Sequence, residues 1–171
     1  MRKLLTLLVL FTLIACQSES QSKDALHTVK LTTPSGETIE TRVVYTSMDQ
    51  EQGLSGVRPE NFADNQGMLF FYTEESEKLF WMPDTYFDLD LVYLGGDLKI
   101  IDIIRKLPHY IGRANPDLIP RARGVWSRHT LEMKSGSPIA AKLKIGDQLQ
   151  WKGELDLNAA DIYVRKALGK N

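Results

Sequence analysis

The sequence predicts a mainly β fold, a compact sandwich or open-barrel-like domain of short antiparallel strands with one or two short helices. Three observations carry that expectation. Apolar residues recur mostly at a period of two, the spacing of a strand with one buried face. The alternating runs are short, and Gly, Pro, Asn and Asp clusters separate them. Strands do not alternate regularly with long helical patterns, as a parallel α/β sheet would require. An α+β arrangement, with a helix against one sheet face, is the alternative.

The elements follow in order. Val29 and Leu31 alternate with Thr28, Lys30 and Thr32. Pro34-Ser35-Gly36-Glu37 then supplies turn chemistry, and Ile39, Thr41, Val43 and Tyr45 alternate with Glu40 and Arg42, so the pair reads as a hairpin. Further strands are expected at residues 68–73, 78–82, 89–94, 99–105, 129–134 and 148–152, with Gly95-Gly96-Asp97 as a tight turn between two of them. Ser47 followed by Gln50 reads as a capping box for a short helix ending near Gly53. Asn158 with Asp161 opens a C-terminal helix that Gly169 stops.

The N-terminus reads as a targeting segment. Arg2 and Lys3 precede an uncharged run over residues 4–14, and Leu13-Ile14-Ala15-Cys16 closes it. The run is shorter than the ~20 apolar residues that a membrane-crossing helix needs. The four closing residues resemble a lipobox, which implies a signal peptide over residues 1–15 and lipidation at Cys16. Cys16 is the one Cys of the 171 residues, and acylation removes the oxidation liability of an unpaired exported thiol. The chain is thus expected to be a lipoprotein bound to the membrane through Cys16, without a transmembrane helix. Gln17 follows where an Asp would signal inner-membrane retention, so the periplasmic face of the outer membrane is expected if the host has two membranes. Residues 16–25 have the polar composition of a flexible tether, and residues 26–171 are expected to form a single domain.

Removing Arg2 and Lys3 from 21 basic residues leaves 19 against 22 acidic ones, a mature net charge of about −3. A mildly acidic chain lacks the phosphate-neutralising surplus that nonspecific nucleic-acid binding uses, so no nucleic-acid partner is expected.

One set of motifs is specific. Gly53-Leu54-Ser55-Gly56, Gly67-Met68-Leu69-Phe70-Phe71, Phe80-Trp81-Met82-Pro83-Asp84-Thr85, Leu89-Asp90-Leu91-Val92-Tyr93, Leu131-Glu132 and Ile145-Gly146-Asp147 occur in this order. In order and spacing they resemble the bacterial and archaeal family called domain of unknown function 192, over roughly residues 29–151. The resemblance implies a compact, mainly β, sandwich-like fold and no established activity. Where that family usually reads Lys-Asn this chain has Pro83-Asp84, and where it usually reads Pro this chain has Asp88.

Several residues are candidates for chemistry. Gly67 before an apolar run suits a backbone with positive φ or a close chain approach. Met68, Phe70, Phe80, Trp81 and Met82 read first as core, Met packing against aromatic rings. Met68 and Met82 with His109 or His129 could alternatively bind Cu(I), which soft thioethers select. Asp88 and Asp90, two apart, would aim both carboxylates at one face of a strand. With Asp84 nearby they could hold a hard cation such as Ca²⁺ or form an acid and base pair, or they could simply bond loop amides. Thr85 is placed to bond Asp84 or Asp90, and Glu132 opposes them only under one strand pairing. Charge is polarised along the chain, with seven acids and one Lys over residues 74–97, then six Arg or Lys and one acid over residues 105–129. The second stretch reads as a long surface loop presenting Arg113, Arg121, Arg123 and Arg128 to an anionic glycan, a phosphate or lipid head groups, or else as a lid that pairs with the acidic stretch.

Signatures of the well-known nucleophiles and metal sites are missing: there is no G-x-S-x-G, no H-E-x-x-H and no P-loop. Ser127 near His129 and Asp117 makes no triad by spacing alone. The favoured reading is a noncatalytic accessory module of the cell envelope binding a small molecule, a glycan or a protein. The alternative is a hydrolase or lyase using Asp84, Asp88, Asp90 and Glu132 on an envelope or extracellular substrate. The residues assign no cofactor.

Overall fold

A computed structural model describes residues 26–170; the leader, Cys16 and the whole tether expected from the sequence lie outside the described residues. Nine strands and two helices are formed among these residues: β1 (Thr28–Thr32), β2 (Thr38–Val44), α1 (Ser47–Gln52), β3 (Gln66–Phe70), β4 (Ser76–Lys78), β5 (Leu89–Leu94), β6 (Ile100–Leu107), β7 (Val125–Ser127), β8 (His129–Lys134), β9 (Gln150–Lys152) and α2 (Leu157–Ala167). Seven strands make one sheet in the order β6-β5-β8-β3-β2-β1-β9, and β4 pairs with β7 in a separate ribbon. The mainly β expectation holds, in the form of an open, curled half-barrel. The β1–β2 hairpin is antiparallel with Leu31 opposite Ile39, whereas β2 and β3 are parallel, the connection running through α1. The sheet curls until its two edges meet at one corner, where Ile100 donates to the Asp147 carbonyl (2.8 Å) and Gly146 to the Ile100 carbonyl (2.8 Å).

Period-two alternation sorts the sheet residues onto two covered faces. Val29, Leu31, Ile39, Val43, Leu69, Val92, Leu94, Leu131 and Met133 form the core inside the curl, closed by Ala160 and Val164 of α2. Met68, Phe70, Leu89, Leu91 and Tyr93 face the other way. That outer face is roofed by Phe80, Met82, Phe87, Ile119, Ala122 and Val125 from the chain before β5 and after β6. Leu89–Leu94 is therefore buried along its whole length.

Four local expectations are corrected. The helix caps sit earlier than expected: Thr46 accepts from the Asp49 amide (3.1 Å) at α1, and Asp156 accepts from the Ala159 amide (2.8 Å) at α2. Both have extended backbone and a side-chain oxygen that accepts from the amide three residues on, whereas Ser47 and Asn158 already lie inside their helices. The strand expected at residues 78–82 ends at Lys78; beyond it the chain keeps an isolated antiparallel bridge between Trp81 and Arg121, made by Met82 N to Pro120 O (3.1 Å) and Ala122 N to Phe80 O (2.9 Å), and Pro83 and Pro120 have no N–H with which to extend it. The strand expected to reach Thr73 stops at Phe70, and the one expected from residue 148 starts at Gln150. Residues 105–129 are not one long surface loop: β6 extends to Leu107, β7 occupies Val125–Ser127, and the chain between is stitched to residues 82–85 by Met82 N to Pro120 O (3.1 Å) and Thr85 N to Tyr110 O (2.9 Å).

Gly67 is explained by close approach. A Cβ there would stand 2.7 Å from Leu131 Cδ1 and 3.0 Å from Ile39 Cγ2, in the inner core. No helix of the described residues is long and apolar enough to cross a membrane.

Candidate functional site

Glu132 lies on β8 in register with Met68 of β3 on one side and Leu91 of β5 on the other, at the centre of the sheet. Alternation along β8 sends Leu131 and Met133 into the inner core, so Glu132 and Thr130 point to the outer face. The roof segments then bury the carboxyl, leaving the residue 5 % exposed. Its Oε2 has no hydrogen-bond partner among the described residues, and the same holds for Thr130 Oγ1, Tyr93 Oη and Ser127 Oγ. Thr130 is in register with Tyr93, so a polar seam crosses an otherwise apolar layer. Burial alone pushes the Glu132 carboxyl up to about 8, since no cation compensates it. At neutral pH it is a protonated acid.

A cleft of about 100 Å³ reaches this carboxyl. Its walls are the loop Gly53-Leu54-Ser55 after α1, the segment Leu79 to Pro83, Thr85, Phe70, Tyr72 and Leu89. The loop is locked to the roof: Ser55 Oγ donates to the Pro83 carbonyl (2.6 Å) and the Gly56 amide to the Asp84 carbonyl (2.8 Å). Gly53, at φ 47°, closes α1 close to Phe70, where a Cβ would stand 3.2 Å from Cζ. Phe80 meets Phe70 edge-on at 4.9 Å, so the wall is rigid aromatic surface. Trp81 is 41 % exposed on the rim, with the Arg121 guanidinium 5.1 Å from its ring centre. A groove bounded by Leu79, Phe80, Trp81, Arg121 and Ala122 adjoins it.

Of the residues singled out by sequence, Trp81, Thr85 and Glu132 meet in this cleft, together with Phe70, Phe80 and Met82, which were read first as core. Thr85 is buried and its hydroxyl donates to the Pro83 carbonyl (3.3 Å). The other carboxylates are turned elsewhere. Asp84 adopts φ 51°, a conformation Asp and Asn tolerate best after Gly, and accepts from the Gly112 amide (3.2 Å). Asp88 lies just before β5 and accepts from the His109 amide (2.9 Å) and ring (2.6 Å), which holds it below the ordinary carboxylate value. Asp90 is buried on the inner face, held by Arg105 (2.7 Å) and the Lys106 amide (2.9 Å). Asp88 and Asp90 therefore share no ligand space, and Glu132 faces away from Asp90.

The arginines are also dispersed. Arg123 pairs with Asp102 (2.6 Å), and Arg128 pairs with Asp161 (2.5 Å) and donates to the Tyr72 carbonyl (2.7 Å). Arg113 is exposed. The methionine and histidine set does not converge either. Met68 and Met82 sit in the outer core, His129 accepts from the Tyr72 amide (3.2 Å) against the Phe71 ring, and His109 is on the surface with Asp88. Among the described residues no group of three or more His, Cys, Asp or Glu is placed to hold a metal ion.

Sequence reasoning missed Tyr72, Ser55 and the Gly53 loop as parts of the cleft. Ser55 belongs to a motif already noted, Gly53-Leu54-Ser55-Gly56, and that is the signal that could have found it. The other carboxyl on the lining, Glu51, is exposed, and the Ser55 and Thr85 hydroxyls both donate to the Pro83 carbonyl, so the buried acid is left to donate and accept hydrogen bonds or to ionise against a cation.

No curated protein matches the chain. Among solved structures it is similar to a candidate transcription regulator from Sinorhizobium meliloti 1021, with 26 % identity and a TM-score of 0.56 over 72 % of this chain and 92 % of that one. It is also similar to a protein of unknown function from Novosphingobium aromaticivorans DSM 12444, with 25 % identity and a TM-score of 0.57 over 72 % of this chain and 84 % of that one. Residues 29–151, which include every wall of the Glu132 cleft, match the family described as "Uncharacterized ACR", and the chain belongs to this family, domain of unknown function 192.

Proposed function

We propose that this protein is a noncatalytic accessory module of the cell envelope that holds a small polar ligand in the Glu132 cleft. The observation that carries the reading is the buried Glu132 Oε2, unpartnered by the described residues, at the floor of a cleft with rigid aromatic walls. A polar atom left so costs ~1–3 kcal/mol, and a ligand donor or acceptor recovers that cost. The envelope placement is supported by the leader and by Leu13-Ile14-Ala15-Cys16. A lipidated Cys16 followed by the nine residues 17–25 would hold the domain within ~30 Å of the bilayer, at ~3.4 Å per extended residue. The separate surroundings of Asp84, Asp88, Asp90 and Glu132 support binding over catalysis by a pair of these carboxylates; Glu51, which shares the cleft with Glu132, is exposed at its rim. The mildly acidic mature chain does not favour carrying over the transcription-regulator description of the Sinorhizobium protein.

Native mass spectrometry of the mature protein isolated from its own host tests the reading. A small-molecule adduct is expected on the wild-type chain and a reduced one on Trp81→Ala, a change at the exposed rim. An empty wild-type protein that captures nothing from an envelope extract would refute it.

A further inference from the structure

The charge of the cleft wall narrows the ligand. Its polar side chains are Gln50, Glu51, Gln52, Ser55, Thr85 and Glu132, with the Tyr72 phenol, and none of the described residues that line it is Lys or Arg. An anionic group would therefore meet two carboxyl groups and no cationic side chain on the lining. The aromatic rings nearby already take cations from the protein itself: the Lys78 ammonium sits 3.7 Å from the Tyr72 ring centre, the Arg121 guanidinium faces Trp81, and the Arg58 guanidinium lies 3.9 Å from Tyr86. Phe70 and Phe80 add two more ring surfaces to the wall.

We propose that the ligand of this cleft carries a cationic nitrogen, an organic ammonium or guanidinium group that seats against the Glu132 carboxyl with its carbon stem along Phe70, Phe80 and Met82. This deepens the ligand-binding reading above and rests on it. The proton balance is explicit. The free acid is protonated at neutral pH; the arriving cation favours the carboxylate, so one proton leaves Glu132 to solvent for each cation seated. The groups facing Glu132 are Tyr72 beyond β3, raised to about 12 by burial, and Tyr93 of β5, raised further, so neither titrates near neutrality. Lys78 of β4, lowered to about 8 by burial, lies behind Tyr72, and Glu51 stands on the rim.

The test uses three shape-matched probes, n-butylammonium, n-butanol and n-butyrate, followed by saturation-transfer NMR and by calorimetry in buffers of different ionisation enthalpy. The wild-type protein is expected to bind n-butylammonium at least about tenfold more tightly than n-butanol, with n-butyrate weakest. Affinity for the ammonium should rise about tenfold between pH 6 and pH 7, with proton release, because the site must shed one proton to bind. That window lies below the Lys78 value. Glu132→Gln, which keeps volume and neutrality, should bring the ammonium down to the alcohol's affinity and flatten the pH dependence. Equal or tighter binding of n-butanol or n-butyrate overturns the cationic assignment and leaves the cleft reading standing. So does a native adduct, sensitive to Trp81→Ala, on a protein that takes none of the three probes. An empty protein that takes none of them overturns both.

Discussion

Glu132 should make this protein less stable in mild base, and the size of the effect follows from its burial. The carboxyl's ordinary value is 4.5 and the fold raises it to about 8, so between these values the unfolded chain gives up a proton that the folded one keeps. The protonated acid's contribution is complete in acid and is lost as pH rises towards 8, at ~1.4 kcal/mol per pH unit. His129 acts in the opposite direction. Burial and the neighbouring Arg128 lower its ring from 6.5 to about 3, so its contribution is present above pH 6.5 and is lost as pH falls below it. The two slopes oppose each other between pH 4.5 and 6.5. From pH 6.5 to 8 the Glu132 slope stands alone of the two, and over ~1.5 pH units it removes about 2 kcal/mol. Urea unfolding followed by Trp fluorescence at pH 6.5 and pH 8 measures this directly. The wild-type protein should lose about 2 kcal/mol more than Glu132→Gln over this interval, because an amide does not ionise. Equal losses in the two proteins would refute the argument that the carboxyl is held neutral by desolvation.

Three further outcomes are expected. Gly67→Ala drives a methyl into Leu131 and Ile39 and should cost ~1–3 kcal/mol by overpacking, read as a lower urea midpoint at unchanged m-value. Asp90→Ala takes one partner from the partly exposed Arg105, which keeps the Ala140 and Leu143 carbonyls (2.7 Å each), and removes the acceptor of the Lys106 amide, and should cost ~1–3 kcal/mol in the same assay; Asp88→Ala, on the surface, should cost under ~1 kcal/mol. Cys16→Ser should abolish incorporation of labelled palmitate and release the protein from membranes, and globomycin should accumulate the precursor; labelling retained in the variant would remove the lipoprotein assignment.

Local sequence determined the faces of the strands. The alternation Val29, Leu31 and Ile39, Thr41, Val43 requires one buried side, and it shows the β1–β2 hairpin directly, because both strands and their turn lie within 17 residues of chain. The motif glycines and aromatics around Gly67 and Phe80 were equally legible, since close packing admits few alternatives at those positions. The chain from residue 78 to 82 misled, because Lys78, Phe80 and Met82 alternate with Leu79 and Trp81 as a strand would. Strand periodicity describes a covered face as well as it describes a ladder, and here the cover is a roof rather than a paired neighbour.

The site was decided by tertiary structure. Glu132 in His129–Lys134 reads locally as a charged residue on a strand's polar face, and nothing within a few residues of it says otherwise. Its burial depends on β3 and β5 flanking β8 and on roof residues such as Met82 and Val125 that the chain brings back over the outer face. The dispersal of Asp84, Asp88 and Asp90 has the same origin: a hydrogen bond to Gly112, His109 or Arg105 joins residues 15 to 28 positions apart, and which face each carboxylate finds is settled only when those segments pack. Sequence periodicity specifies which side of a strand a residue takes; whether that side meets water or another layer is a property of long-range contacts, and it is this desolvation that makes Glu132 a neutral acid.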